Sequence, residues 1–278
     1  MSKQKIILAR WYEGYPNWGD ILNPRLIKEI CGVQPVNMQH TKFSLRKMSQ
    51  AISRKPLPEY LVIGSTLGWG FRRDHVNVFW GPGFMFENQK IRSYPREVCA
   101  VRGPLSRNKL LEQGIECPEV FGDPALLFPR YYNPCVEKKY TLGIVPHMYD
   151  ESDEWLTKLV DREDVLIINI KGGIEKVVSD IKSCHYIASS SLHGIIAADA
   201  YGIPSQWIKL SDKIKGGGFK FRDYFASVGR ADTKQVVISP RTTVKELLEC
   251  FTDYTIKIDL DRLMQACPFK SDYTLEKL

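Results

Sequence analysis

The stretch "HYIASSSLHGIIAADAYGIPSQWIKL" (residues 185–210) reads as a strand, a short polar turn, a small-residue helix and a second strand. The first run is apolar and ends in three serines, Ser189, Ser190 and Ser191. His193 and Gly194 open the helix, whose Ala197, Ala198 and Ala200 suit close packing on a sheet, and Gly-Ile-Pro closes it. Continuous apolar strands alternating with helices imply parallel sheets covered on both faces.

The same alternation runs through the rest of the chain. Residues 5–10 and 60–65 are short apolar runs, and 21–31 has helical spacing with Asp20 placed as its N-cap and Pro24 expected in the first turn. "EVCAVRG" (97–103) is another strand, followed by a helix with Pro104 near its start and Gly114 past its end. The proline- and tyrosine-rich stretch 128–140 breaks the pattern, which then restarts with strands at 140–147 and 164–170. The expected fold class is α/β, with two domains over residues 1–133 and 134–278. The terminal helix in "IDLDRLMQACPF" is expected to pack back on the first domain. No internal repeat stands out.

Composition narrows the function classes. The chain has 278 residues, 44% hydrophobic and 26% charged, as in ordinary globular proteins. Seven cysteines, an odd number with no CxxC pair, point to free thiols in a reducing compartment rather than to a disulfide framework or a zinc site. The N-terminal apolar run is too short for a signal-peptide core, and no stretch reaches the roughly 20 apolar residues of a membrane span. A cytoplasmic protein is expected. The net charge of +7 is dispersed and carries no nucleic-acid motif, and anionic small substrates or an anionic membrane surface suit it equally well.

Ligands of open α/β sheets bind beyond the carboxyl ends of the strands. Four segments there carry chemistry. In "YPNWGDILNP" (15–24), Asn17, Gly19 and Asp20 precede a helix whose free N–H groups favour an anion, although Asp20 could equally be a plain cap. "IGSTLGWGF" (63–71) offers Gly68 and Trp69 at a glycine loop that matches no nucleotide fingerprint. "VRGPLS" and "GDPALL" place Arg102 and Asp123 at strand ends, where a structural ion pair between them is one reading and a ligand contact the other. In the opening stretch the serines and helix start form an anion cradle, and His193 is either an acid/base group or a quiet helix-start residue. "KGGGFKFRDYF" (215–225) adds Lys220 and Arg222 on a glycine-rich loop, read as an anion grip or as a solvated linker. "DLD" (259–261) is explained by acids at a helix start rather than by metal binding.

Taken in order, "NWGD", "GSTLGWG", "VRGPLS", "GDPALLFP" and "SSSLHGIIAADAYGIPS" resemble the polysaccharide pyruvyl transferase family. The resemblance implies two Rossmann-like domains in a GT-B arrangement with a cleft between them. It implies phosphoenolpyruvate as co-substrate, with neither cofactor nor metal. The acceptor would be a hexose of a capsule or exopolysaccharide precursor. That precursor is often lipid-linked, which would bring the protein to the inner membrane face. His193 would be the acid/base group, with His147 an alternative acid and Asp20 a carboxylate base. Ser189, Ser190, Ser191, Arg102, Lys220 and Arg222 would hold the donor. Asn17, Gly19, Asp20, Gly68 and Trp69 would face the acceptor. Many members carry an arginine where this chain has Ser191, and that departure motivates a second reading, a glycan-binding relative without turnover, while a GT-B glycosyltransferase using a nucleotide sugar is a further alternative.

Overall fold

The computed structural model describes residues 6–14, 17–39, 58–70, 76–214, 216–231 and 233–270. Lys5, Tyr15, Pro16, Phe71 and Lys215, which begin or end segments named above, lie outside the described residues.

Two parallel sheets of five strands each make up the fold. The first holds β1 (Leu8–Ala9), β2 (Val36–Asn37), β3 (Pro58–Leu61), β4 (Val76–Trp80) and β5 (Glu97–Ala100), in the order β2-β1-β3-β4-β5. The second holds β6 (Tyr140–Val145), β7 (Val165–Ile167), β8 (Cys184–Ser189), β9 (Ser205–Lys209) and β10 (Val236–Val237), in the order β10-β9-β8-β6-β7. Counted from its own first strand, each sheet has the same order, 2-1-3-4-5. The architecture is thus repeated although the sequence is not. In such a sheet the strand order reverses between the first and third strands, and the crevice at that switch point is where ligands bind.

The opening stretch forms β8, the helix Leu192–Ala200 and β9, as expected. Gly194 is fixed by this packing: a Cβ there would lie 2.4 Å from Ser189 Oγ and 2.8 Å from Val145. β4, "VNVFW", was not anticipated, although its apolar, β-branched and aromatic residues suit a buried strand.

The first helix departs from expectation at its start. It spans Trp18–Cys31, and its N-cap is Asn17, whose side chain accepts from the Gly19 and Asp20 amides. Asp20 lies inside the first turn and does not cap. Pro24 consequently falls inside the helix rather than in its first turn. A proline there leaves the carbonyl four residues back without its N–H partner. Asn23 fills the gap, donating from Nδ2 to the Asp20 and Gly19 carbonyls at 3.3 and 3.2 Å. Its Oδ1 accepts from the Ile63 amide at 3.0 Å, tying the helix to the loop after β3.

The largest hydrophobic cluster joins side chains of both halves, from Trp18 and Trp80 to Ile195 and Phe225. The C-terminal segment closes over the first sheet. Trp80 Nε1 donates to the Leu263 carbonyl at 2.8 Å, and Phe269 meets the rings of Tyr60 and Trp80 edge-on at 5.1 and 5.4 Å.

Candidate active site

The loops after the first and third strands of each sheet converge on one cavity of about 710 Å³. From the first half it is lined by Asn17 and Asp20 after β1 and by Gly64, Ser65, Thr66 and Trp69 after β3. From the second half come His147 after β6 and Ser191, Leu192 and His193 after β8. Lys220 contributes from the helix Phe219–Ser227. Both switch points therefore open onto the same space. Tyr12, Met85, Phe86 and Tyr149 add apolar and aromatic walls.

At the centre lies a hydrogen-bonded chain across the two halves. Asn17 Nδ2 donates to the Asp20 carboxylate, and Asn17 Oδ1 lies 2.6 Å from His193 Nδ1. That oxygen also accepts from the Gly19 amide, which fixes the orientation of the Asn17 side chain. It can only accept, so His193 carries its proton on Nδ1 and keeps the Nε2 lone pair free. Gly19 has a steric role: a Cβ there would lie 2.4 Å from the His193 ring. The glycine expected beside the acceptor is what lets the imidazole approach the first helix.

Burial sets the protonation states. It lowers the His193 pKa to about 3, aided by the positive charges of Lys220 and Arg102, so the ring is neutral. His147 is held down to about 4 by burial and Lys220, which leaves it without a proton to give at neutral pH. Its backbone amide donates to Ser190 Oγ at 2.9 Å. Asp20 moves the other way: burial raises it to about 7, opposed by its hydrogen bond with Asn17 and by Lys220. Lys220 is lowered to about 8 by burial and by Arg102, with Asp20 opposing. The cavity thus pairs a carboxyl group that exchanges its proton near neutrality with a neutral imidazole and a cation.

The remaining residues named from sequence divide between wall and scaffold. Ser191 lines the cavity at the N-cap of the helix Leu192–Ala200. Ser189 Oγ instead lies 2.8 Å from the Val145 and Ser191 carbonyls, and Ser190 Oγ donates to Asp150 at 2.8 Å. These two serines shape the turn. Ser190 also borders a smaller cavity of about 260 Å³ that shares Lys220 and Ile214 with the larger one. Gly68 stands aside from the wall and leaves room for Gln89, whose Oε1 accepts from the Met85 amide at 2.9 Å. Arg222 reaches outward to Glu87 at 3.3 Å.

Arg102 is fully buried, and its partner is not Asp123. Its Nε and Nη2 lie 3.0 and 2.9 Å from Asp223 Oδ2, Nη1 donates to Ser65 Oγ at 2.7 Å, and Nη2 donates to the Phe84 carbonyl at 2.6 Å. Asp123 caps the 3₁₀ helix Pro124–Arg130 through the Ala125 amide at 3.0 Å. A local pair with Asp123 was one of the two readings of these strand ends, but Asp223 arrives from 121 residues away.

With this geometry in view, the comparison with known proteins is direct. A model of the polysaccharide pyruvyl transferase family matches residues 45–211. The chain belongs to that family. The match includes Arg102, His147 and His193, while Asn17, Asp20 and Lys220 reach the cavity from outside it. The chain is 27% identical over 229 residues to the succinoglycan biosynthesis protein ExoV of Rhizobium meliloti, covering 79% of this chain and 64% of that protein. It is 30% identical over 159 residues to the uncharacterized protein L143 of Acanthamoeba polyphaga mimivirus, covering 55% of each. It therefore spans between about half and two-thirds of the length of these two relatives.

Sequence reasoning missed Asn23, Ser65, Thr66 and Asp223. Asn23 had a local signal in its position next to a proline inside a helical pattern, and Ser65 and Thr66 lie inside the glycine loop at 63–71. The Thr66 hydroxyl is buried on the cavity wall without a hydrogen-bond partner among the described residues.

Proposed function

We propose that the chain forms a cyclic pyruvate ketal on a hexose of a surface-polysaccharide precursor, with phosphoenolpyruvate as donor and phosphate released. The observation that carries this reading is the Asp20–Asn17–His193 chain beside Lys220 in a cavity built from both switch points. Family membership and the likeness to a succinoglycan biosynthesis protein support it.

The chemistry needs a proton donor, a proton acceptor and a cation. Protonation of the methylene carbon of phosphoenolpyruvate makes the central carbon electrophilic. One sugar hydroxyl adds there, and the second displaces phosphate and closes the ring. One hydroxyl proton balances the proton placed on carbon, and the other leaves with phosphate. Asp20, expected as a base, is better suited as the acid, because near neutrality a large share of it is protonated. The free Nε2 of His193 takes the hydroxyl proton. Lys220 and Ser191 hold the donor's negative charge, and Lys220 stands in for the arginine that many members carry at position 191. The aromatic wall of Trp69, Tyr12 and Tyr149 receives the sugar ring. Phosphoenolpyruvate is consumed as co-substrate, with no resident cofactor or metal in the scheme.

The wider setting follows the same reading. The two sheets act as Rossmann-like domains of a GT-B-like enzyme, divided near residues 133–134, with acceptor loops in the first and donor loops in the second. A lipid-linked acceptor would bring this basic chain to an anionic inner membrane face.

The test is a thermal-shift comparison of phosphoenolpyruvate with a panel of nucleotide sugars, followed by phosphate release with candidate acceptors. Stabilisation by phosphoenolpyruvate and acceptor-dependent phosphate release are expected. Stabilisation by nucleotide sugars alone would mean glycosyl transfer instead. His193→Ala should abolish ketal formation at an unchanged melting temperature.

A further inference from the structure

Asp223 was not anticipated, lies outside the cavity, and is fully buried with the partners of its carboxylate among the described residues on the first half of the chain. Its carboxylate accepts from Arg102 Nε at 3.0 Å, from the Ser106 amide at 2.8 Å and from Ser106 Oγ at 2.7 Å. The fit is tight on both sides. A Cβ on Gly103 would lie 1.9 Å from the Asp223 carbonyl oxygen, and one on Gly83 would lie 2.3 Å from the Arg102 guanidinium carbon. The glycine of "VRGPLS" is thus required by the helix that crosses it.

The clasp has two outputs. Asp223 sits on the helix Phe219–Ser227, one turn after Lys220, so seating its carboxylate sets where that lysine emerges. Arg102 spends its remaining hydrogen bonds on the Phe84 carbonyl and on Ser65 Oγ, and Ser65 lines the cavity. One buried ion pair therefore locates cavity residues contributed by both halves. We propose that Asp223 is a positioning residue: with Arg102 and Ser106 it forms a buried clasp that sets the place of Lys220 and Ser65 on the cavity wall and neutralises Arg102 behind it.

The second role gives a readout that a purely structural residue would not move. The charged and titratable groups that bear on Lys220 are Arg102 and Asp20 from the first half and His147 and His193 from the second. Removing the Asp223 charge leaves Arg102 uncompensated and pushes the lysine further down. Removing both charges relieves it. A buried pair replaced by two apolar side chains also tends to keep stability, where loss of one partner does not.

The experiment measures the titration of Lys220 directly, by competitive amine labelling and mass spectrometry across pH, in the full-length wild type, Asp223→Asn and the double variant Arg102→Met/Asp223→Leu. The midpoint should fall by about one pH unit in Asp223→Asn and rise by a similar amount in the double variant. Affinity for phosphoenolpyruvate should weaken in both. Opposite shifts in labelling sustain the clasp even if the wild type ignores phosphoenolpyruvate, an outcome that would sink only the proposed reaction. If Asp223→Asn does not fold, the double variant decides alone. An unmoved midpoint in the folded variants, or a fall in both, overturns the assignment.

Discussion

Asp20 is the residue whose chemistry depends most on its surroundings. An exposed aspartate gives up its proton near pH 4, whereas burial beside the cavity holds this one to about 7. Two consequences follow. With Asp20 as the acid of the proposed reaction, the rate should fall as pH rises through about 7, and the loss of charge on Lys220 near pH 8 should steepen the decline. His193, neutral down to about pH 3, adds no acidic limb above that point. A pH–rate profile with its descending limb near pH 7, and the near-complete loss of turnover in Asp20→Asn, would be the expected pair of results. The stability signature is independent of turnover. A carboxyl group whose folded pKa exceeds its unfolded value favours the fold fully below pH 4, and that advantage is lost as pH rises through 7. His193 runs the other way: its depressed pKa withdraws stability as pH falls below about 6.5. Comparing Asp20→Asn with wild type cancels the histidine contribution. The variant should gain melting temperature relative to wild type between pH 4 and pH 8, and a constant difference across that window would contradict a buried, protonated Asp20.

At the scale of elements, the first helix does two jobs that compete. Its N-terminus must present Asn17 and Asp20 to the cavity, and its body must cross from the first sheet to the second half. The Trp18 amide donates to the Ile170 carbonyl at 2.9 Å, and Arg25 pairs with Glu175 at 3.1 Å. Pro24 in the middle would normally break such a helix, and Asn23 repairs the break from its own side chain. Replacing Asn23 by Ala orphans the Asp20 carbonyl and the Ile63 amide at once. Buried groups left without partners cost about 1–3 kcal/mol each. Denaturant melts of Asn23→Ala should show a loss of that order, with activity falling as well because the Asp20 turn loosens. Gly19→Ala separates the two effects. Its methyl group would displace the His193 ring, so turnover should drop at least tenfold while the helix, with alanine the better helix former, keeps its stability. A fully active Gly19→Ala would remove the contact between the helix and the imidazole from the mechanism.

For the whole molecule, the decisive fact is that the largest hydrophobic cluster spans both sheets, beside a smaller cluster on each side. Two autonomous domains would share no such cluster, and a denaturation scan would resolve them. Here the C-terminal segment returns to seal the first sheet with Leu263 and Phe269. Arg230, paired with Asp199 at 2.8 Å, sits over the ring of Tyr254 at 3.6 Å and fastens the approach to that segment. Differential scanning calorimetry should therefore show a single transition in which calorimetric and van't Hoff enthalpies agree. Phe269→Ala should lower that transition as a whole, by about 3–5 kcal/mol in stability. Two resolved transitions, with only the first moved by Phe269→Ala, would show that the shared cluster does not couple the halves.

The alternation of apolar runs, turn residues and small-residue helices by itself determined the α/β class, the two parallel sheets and the loops that line the cavity. Strand and helix periods are local, so Ser189 to His193 could be placed where a strand turns into a helix from nearest neighbours alone. Even there, Asn17 and Asp20 were within reach while their roles were not, because a cap and a cavity acid differ only in burial. Pairing was not legible. Asn17 meets His193 across 176 residues, and Arg102 meets Asp223 across 121. Nothing in either segment announces the other. Those partners are chosen by the crossovers that bring both switch points to one cavity, and the same burial that closes the cavity sets the proton states of Asp20, His193 and Lys220. Residue types came from the chain, and their charge and neighbours came from its folding.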